Sequence, residues 1–186
     1  MSPTAPVPAT YRVTFDDWLR YPDDGKIYEV IEGELFVSPP PAIRHQRIAR
    51  NLLRHIDPFL QTRSTGEVLF APVGVRFSED NVLEPDLVVI LGPRLARGEE
   101  SALDGAPDLV VEILSPGTAG RDLGAKRAVY ERFGVPEYWI VDPIAATIQV
   151  LALTDGAYRE AALYRRDQTL LSPLLAGLEI PLAKVF

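Results

Sequence analysis

The chain has no cysteine, two histidines and a single methionine among its 186 residues. Without cysteine there is no disulfide framework and no thiolate chemistry, which fits a cytoplasmic protein. Two histidines are too few for a His-rich zinc centre. Long apolar runs are also missing. The longest, "DLVVIL" and "DLVVEIL", are strand-length and far short of the roughly 20 residues of a membrane-spanning helix. Positive charge is in deficit: 19 Lys and Arg against 26 Asp and Glu give a net charge of −7. That excludes a broad electrostatic coating of nucleic acid but not a local basic groove. There is no nucleophile elbow, and no repeat of fixed period continues beyond two copies of the pentapeptide "PDLVV".

What is present suits one soluble domain with a substantial core: 47% hydrophobic and 24% charged residues are ordinary globular proportions. "MSPTAPVPAT" has neither a basic start nor an apolar signal core, so residues 1–13 read as a disordered lead-in to a single domain over 14–186. A short helix begins at a cap formed by Thr14 with Asp17. "KIYEVIEGELFVSP" reads as a hairpin turned at Glu32-Gly33, which sets Glu29 opposite Phe36. The first long helix carries Ile48, Leu52 and Ile56 on one stripe, with Arg44, Arg47, Arg50 and Arg54 off it. "GEVLFAPVGVRF", "PDLVVIL" and "PDLVVEIL" follow as three strand-like runs. A helix from about Asp122 to Phe133, the strand "EYWIVDP", a hairpin turned at Asp155-Gly156 and an irregular apolar tail complete the chain. The tail could pack on a partner or on its own sheet. This order predicts an α/β or α+β fold with a mixed central β-sheet flanked by helices.

Two features depart from a plain core. Glu112 sits inside "LVVEIL", where an unpaired buried carboxylate costs several kcal/mol. Lys126 falls on the helix stripe that Leu123, Val129, Tyr130 and Phe133 define, so it points at the sheet and wants a carboxylate or must snorkel out. If the twin strands are antiparallel neighbours, Asp86 lies beside Glu112; if parallel, beside Asp108. Two carboxylates and a lysine in one place outline a site for a divalent metal and water activation.

At these residues the sequence resembles the Uma-type family within the PD-(D/E)XK restriction-endonuclease-like superfamily. The resemblance rests on "YEVIEGEL", "SPPPAIRH", "EPDLVVI", "PDLVVEILSPGT", "RDLGAKRAVYERFGVPEYWIVDP" and "LLAGLEIPLAKVF". It implies the restriction-endonuclease-like fold, with three antiparallel strands and a helix crossing to a parallel strand. That arrangement favours Asp86 beside Glu112. It also implies hydrolysis of DNA phosphodiester bonds with Mg²⁺ or Mn²⁺ held by Asp86, Glu112 and the carbonyl of Ile113. The lysine expected two residues after the acid is absent, since Leu114 stands there, and Lys126 matches a lysine moved to the next helix. Glu29 matches a family acid, the alternative being a solvated strand face. His45 continues the stripe of the long helix and could reach the site, or could be a structural histidine. Asp122 reads as an N-terminal helix acid and Asp108 as a strand-opening residue. Ser115, Gly117, Thr118 and Gly120 form a turn that could approach a phosphate, as could the four arginines. A catalytically silent nuclease fold, serving as a DNA-binding or protein-interaction module in the form of a homodimer, is the competing expectation.

Overall fold

A four-residue helix, α1 (Phe15–Trp18), opens the fold through a reciprocal cap: Asp17 N donates to Thr14 Oγ1 and Thr14 N to Asp17 Oδ2. The structure, a computed structural model, describes residues 11–92, 98–99 and 102–186, so residues 1–10 of the expected lead-in lie outside it. Strands β1 (Ile27–Ile31) and β2 (Glu34–Ser38) form the expected hairpin, with Glu29 opposite Phe36. Both turn residues are left-handed, Glu32 at φ 53° and Gly33 at φ 79°, the backbone a two-residue hairpin turn requires. Helix α2 (Ile43–Arg63) buries Ile48, Leu52, Ile56 and Leu60 and leaves Arg44, Arg47, Arg50 and Arg54 exposed.

The run "GEVLFAPVGVRF", expected as one strand, is two. Strand β3 (Gly66–Phe70) stops before the cis Ala71-Pro72 bond, and β4 (Gly74–Ser78) joins a different sheet. Proline cannot donate to a ladder, so the chain changes sheets there. Next come β5 (Asn81–Leu83), β6 (Leu87–Leu91), β7 (Gly98–Glu99), β8 (Ala102–Asp104) and β9 (Leu109–Ile113). The connection between the twin segments, which the sequence suggests is a loop or short helix, therefore holds strands at 98–99 and 102–104, its other residues up to 101 lying outside the described ones from 93 on. After a helical segment come β10 (Glu137–Asp142), β11 (Thr147–Thr154), β12 (Ala157–Arg165), β13 (Thr169–Leu171) and β14 (Glu179–Pro181). The central sheet has the order β12-β11-β10-β9-β6-β3 and is mixed: β3, β6 and β9 are antiparallel, and β10 is parallel to β9. A second six-stranded sheet, β2-β1-β5-β4-β8-β7, was not visible in the sequence pattern.

The twin "PDLVV" strands are β6 and β9, antiparallel with Leu87 opposite Val111 and Val89 opposite Leu109. One step beyond the first pair, Asp86 stands opposite Glu112. The two leading aspartates make equivalent clips. Asp86 Oδ2 accepts from Ile113 N at 2.7 Å, and Asp108 Oδ2 accepts from Leu91 N at 2.7 Å. Each strand is thus preceded by an aspartate that holds the last residue of its neighbour.

Helical residues 119–132 run as α3 (Ala119–Arg121), a π turn (Asp122–Lys126) and α4 (Arg127–Arg132). The π turn is a correction to the helix expected from about Asp122. It takes in roughly one extra residue, so the buried stripe behind Tyr130 passes through Lys126 to Asp122, and Leu123 is left 48% exposed.

The two faces of the central sheet carry separate cores. On one side Leu109, Val111 and Ile113 of β9 pack under α2 and the tail; on the other, Val110 packs with Val88, Tyr130 and Tyr138 beneath the second sheet. The tail covers its own sheet, with Leu175, Leu178, Ile180, Leu182 and Val185 in the first core. Buried Glu137 pins it there, accepting from Ser172 Oγ at 2.7 Å and Leu174 N at 2.8 Å. Among the described residues no helix is long and apolar enough to cross a membrane.

Candidate active site

A cleft of about 340 Å³ opens where β1 of the second sheet faces the ends of β6 and β9, with residues 115–126 along its rim. Strand alternation decides which side chains enter it. On β9, Val110 and Glu112 share the face turned toward the second sheet, while Leu109, Val111 and Ile113 turn to α2. Glu112 therefore lies at the open end of a buried strand. Its pKa is pushed well above the usual carboxylate range by burial, partly offset by Lys126 and increased by nearby Asp122, Asp86 and Glu29.

Lys126 reaches Glu112 from the π turn. Its Nζ lies 2.5 Å from Glu112 Oε1, 2.8 Å from Glu29 Oε1 and 3.5 Å from Asp122 Oδ1, and the side chain is only 4% exposed. Burial alone would lower the pKa of this ammonium, but the charges of Glu112, Glu29 and Asp122 outweigh it and raise the value well above normal. Lys126 does not snorkel, and Glu29 is not on a solvated face: all three partners are buried with it.

Asp86 lies on the opposite side of Glu112. Besides the Ile113 amide, its Oδ2 meets His45 Nε2 at 3.1 Å. Burial disfavours the imidazolium of His45, yet the hydrogen bond and charge of Asp86, with the Ile113 backbone and Asp122, raise its pKa overall. His45 Nδ1 is buried and has no hydrogen-bond partner among the described residues. All five side chains singled out in the sequence, Glu29, His45, Asp86, Glu112 and Lys126, line this one cleft, with Ile113. Asp108 is at the far end of β9, outside it.

Three residues that line the cleft or touch its side chains were not assigned to the site from the sequence. Glu84 precedes Asp86 by two positions; its Oε1 accepts from Tyr28 N at 3.3 Å, and burial raises its pKa to about 7, with the Glu29 charge contributing. The spacing in "EPD" was the available signal. Tyr130, one turn after Lys126, donates its hydroxyl to Glu112 Oε1 at 2.5 Å. Asp122, expected as an N-terminal helix acid, turns inward and is buried, accepting from Thr118 Oγ1 at 2.9 Å. Burial raises its pKa despite Lys126 and Thr118. At the mouth, Ser115 and Thr118 hydroxyls lie 2.9 Å apart, and Arg121 donates to Ser38 Oγ at 2.6 Å. Arg44 is turned away, donating to the Pro143 carbonyl.

Chemically the cleft crowds five carboxylates around one lysine and one histidine. Among the described residues no three His, Cys, Asp or Glu side chains are already arranged around a metal position. The donor set nonetheless suits a hard cation. The described contacts of Asp86 and Glu112 fall on Oδ2 and Oε1 respectively, which leaves one oxygen on each for a further ligand. Burial is the main reason the pKa values of Glu84, Glu112 and Asp122 are raised, and neighbouring carboxylates add to it; a bound cation would oppose both effects.

Comparison with known proteins bears on this cleft. No curated protein matches the chain. Among four solved chains that match, one is the crystal structure of "a putative nuclease belonging to DUF820" from Anabaena variabilis ATCC 29413. It is 22% identical, the match covers 94% of this chain and 97% of the other, and the TM-score is 0.77, so the two share a fold. The Uma2 family model, described as "Putative restriction endonuclease", matches residues 15–183. With nearly every described element inside that match, the chain belongs to the Uma2 family.

Proposed function

We propose that the protein is a metal-dependent nuclease that hydrolyses DNA phosphodiester bonds in the cleft between its two sheets. The observation that carries this reading is the 2.5 Å approach of Lys126 Nζ to Glu112 Oε1, with Asp86 opposite Glu112 on the next strand. Asp86, Glu112 and the Ile113 carbonyl would hold Mg²⁺ or Mn²⁺. Such a cation, when bound, supplies Lewis acidity to the phosphodiester and lowers the pKa of water. Lys126 stays protonated under the charges of Glu112, Glu29 and Asp122, so it acts as a donor that positions the attacking water and not as a base. Glu29 and Asp122 orient the ammonium; His45 and the Ile113 amide fix the rotation of Asp86. Arg121 and the Ser115–Thr118 turn stand where a phosphate would enter, and add donors to a site that is otherwise acidic. A single domain over 14–186 working on DNA in the cytoplasm completes the reading; the tail, being spent on the protein's own core, gives no support to a homodimer.

A second reading, a nuclease fold that binds without cutting, draws on one observation: Glu112 Oε1 is already engaged by both Lys126 and Tyr130. Two measurements separate them. Wild type should nick supercoiled plasmid with Mn²⁺, and Lys126→Ala should lose that activity; undiminished cleavage by the variant refutes the role of Lys126. Calorimetry should show Mn²⁺ binding that Asp86→Asn and Glu112→Gln abolish. Absence of binding by wild type leaves only the silent module.

A further inference from the structure

A second groove, of about 230 Å³, lies on the other side of the His45–Asp86 pair, between α2 and the end of β3. His45, Ala49 and Leu53, four residues apart on α2, form one wall; Phe70 and Ala71 form the other, and Arg50 stands at the rim. Because His45 and Asp86 line both cavities, the groove abuts the cleft across this pair.

Phe70 is the anomaly. It shares a face with Val68, which packs in the core under α2, but it stands two residues further along an edge strand, beyond the core. Phe70 is 59% exposed although it lines a cavity. An uncovered aromatic beside an aliphatic wall offers a flat apolar face to a planar group. Arg50, exposed at the rim, places positive charge beside it in a protein that is acidic overall. The groove is smaller than the roughly 300 Å³ at which drug-sized sites begin, so it suits one ring system rather than a whole nucleotide.

We propose that this groove seats a single unstacked base of the substrate strand, next to the phosphodiester held in the cleft, with Phe70 as the stacking platform and Arg50 on the adjoining phosphate. The inference rests on the nuclease reading and extends it to a substrate class: DNA with unpaired nucleotides, whether single-stranded, frayed or bulged. A base within an intact duplex is stacked on both faces and cannot offer one to Phe70, so a duplex engages the cleft without this contact.

Binding tests it without depending on cleavage. Fluorescence anisotropy in EDTA would compare a labelled 12-nucleotide oligo-dT strand with a 12-base-pair blunt duplex, using wild type, Phe70→Ala, Phe70→Trp and Arg50→Ala. The exposed position of Phe70 keeps both variants folded, and the Trp variant preserves the platform. Wild type should prefer the single strand. Phe70→Ala should weaken that binding on the order of tenfold, leave duplex binding unchanged, and be rescued by Phe70→Trp, whose added fluorescence the strand should quench. Arg50→Ala should reduce the salt dependence by about one phosphate contact. Equal affinity of wild type and Phe70→Ala for the single strand overturns the subsite, as does a wild type that binds only duplex. If plasmid nicking by wild type persists in that case, the nuclease reading survives; if nicking and all DNA binding are absent, both fail.

Discussion

Glu84 gives the structure a pH dependence that can be measured without substrate. Its carboxyl is drawn from an ordinary 4.5 to about 7 by burial and the neighbouring Glu29 charge. At about 1.36 kcal/mol per pH decade, the shift corresponds to roughly 3 kcal/mol, which residual solvent access to this half-buried group trims to on the order of 2 kcal/mol. Because the folded pKa of an acid is raised, the folded state binds more protons between the two values. Its stability therefore falls as pH rises from about 4.5 to about 7, and is level above that. Glu84→Gln keeps an oxygen for the Tyr28 amide and removes the titration. Urea unfolding in EDTA at half-unit steps from pH 4.5 to 8 should show near-equal stabilities at the acid end. At pH 8 the variant should be the more stable by about 2 kcal/mol. Parallel curves for the two proteins across that interval would refute the argument.

Other consequences concern the lysine, the tail and the π turn. Lys126→Met strands buried carboxylates without their cation and should cost about 3–5 kcal/mol; adding Glu112→Gln should restore part of it, and strictly additive losses in a denaturant double-mutant cycle would contradict the coupling. Leu182→Ala should cost about 2–5 kcal/mol in thermal and urea unfolding, because the tail belongs to the main core; a neutral result would detach it. Leu123→Ser should stay within about 0.5 kcal/mol of wild type, whereas an uninterrupted α-helix through this region would bury Leu123 and make the change expensive.

The hairpin at Glu32-Gly33 and the stripe of α2 were legible because each depends on local rules, turn backbone and helical period; the direction of the β6–β9 pair was not, since strand alternation suits either direction and the family resemblance alone favoured the antiparallel one. The meeting of Glu112 and Lys126 was legible because a carboxylate in "LVVEIL" and a lysine on an apolar stripe each need a partner; Asp86 as the neighbour of Glu112 came from the family resemblance. Period counting fails at Leu123, since a π turn leaves no composition of its own and only the inward position of Asp122 reveals it. The second sheet was hidden by the short length of β5, β7 and β8 and by the apparent continuity of "GEVLFAPVGVRF" across Pro72. Tyr130 looked like core, and it is core; its hydroxyl became part of the site only when β9 placed Glu112 beneath it. Glu137, a buried acid far from the cleft, shows that burial of a carboxylate alone does not mark a site, because Ser172, Trp139 and the Leu174 amide satisfy it.

The matched clips of β6 and β9 have one more implication. Turning the strand pair end for end superposes Asp86 on Asp108 and Ile113 on Leu91, and it superposes Glu112 on Ile90. The molecule thus carries a blank of its own candidate site: the same strand geometry and the same aspartate-to-amide bond, with an aliphatic side chain in place of the second acid. What the two ends share is the aspartate-to-amide clip, so that clip by itself does not make a cation site; Glu112, His45 on Asp86 and the elements that cover them are what the candidate site adds.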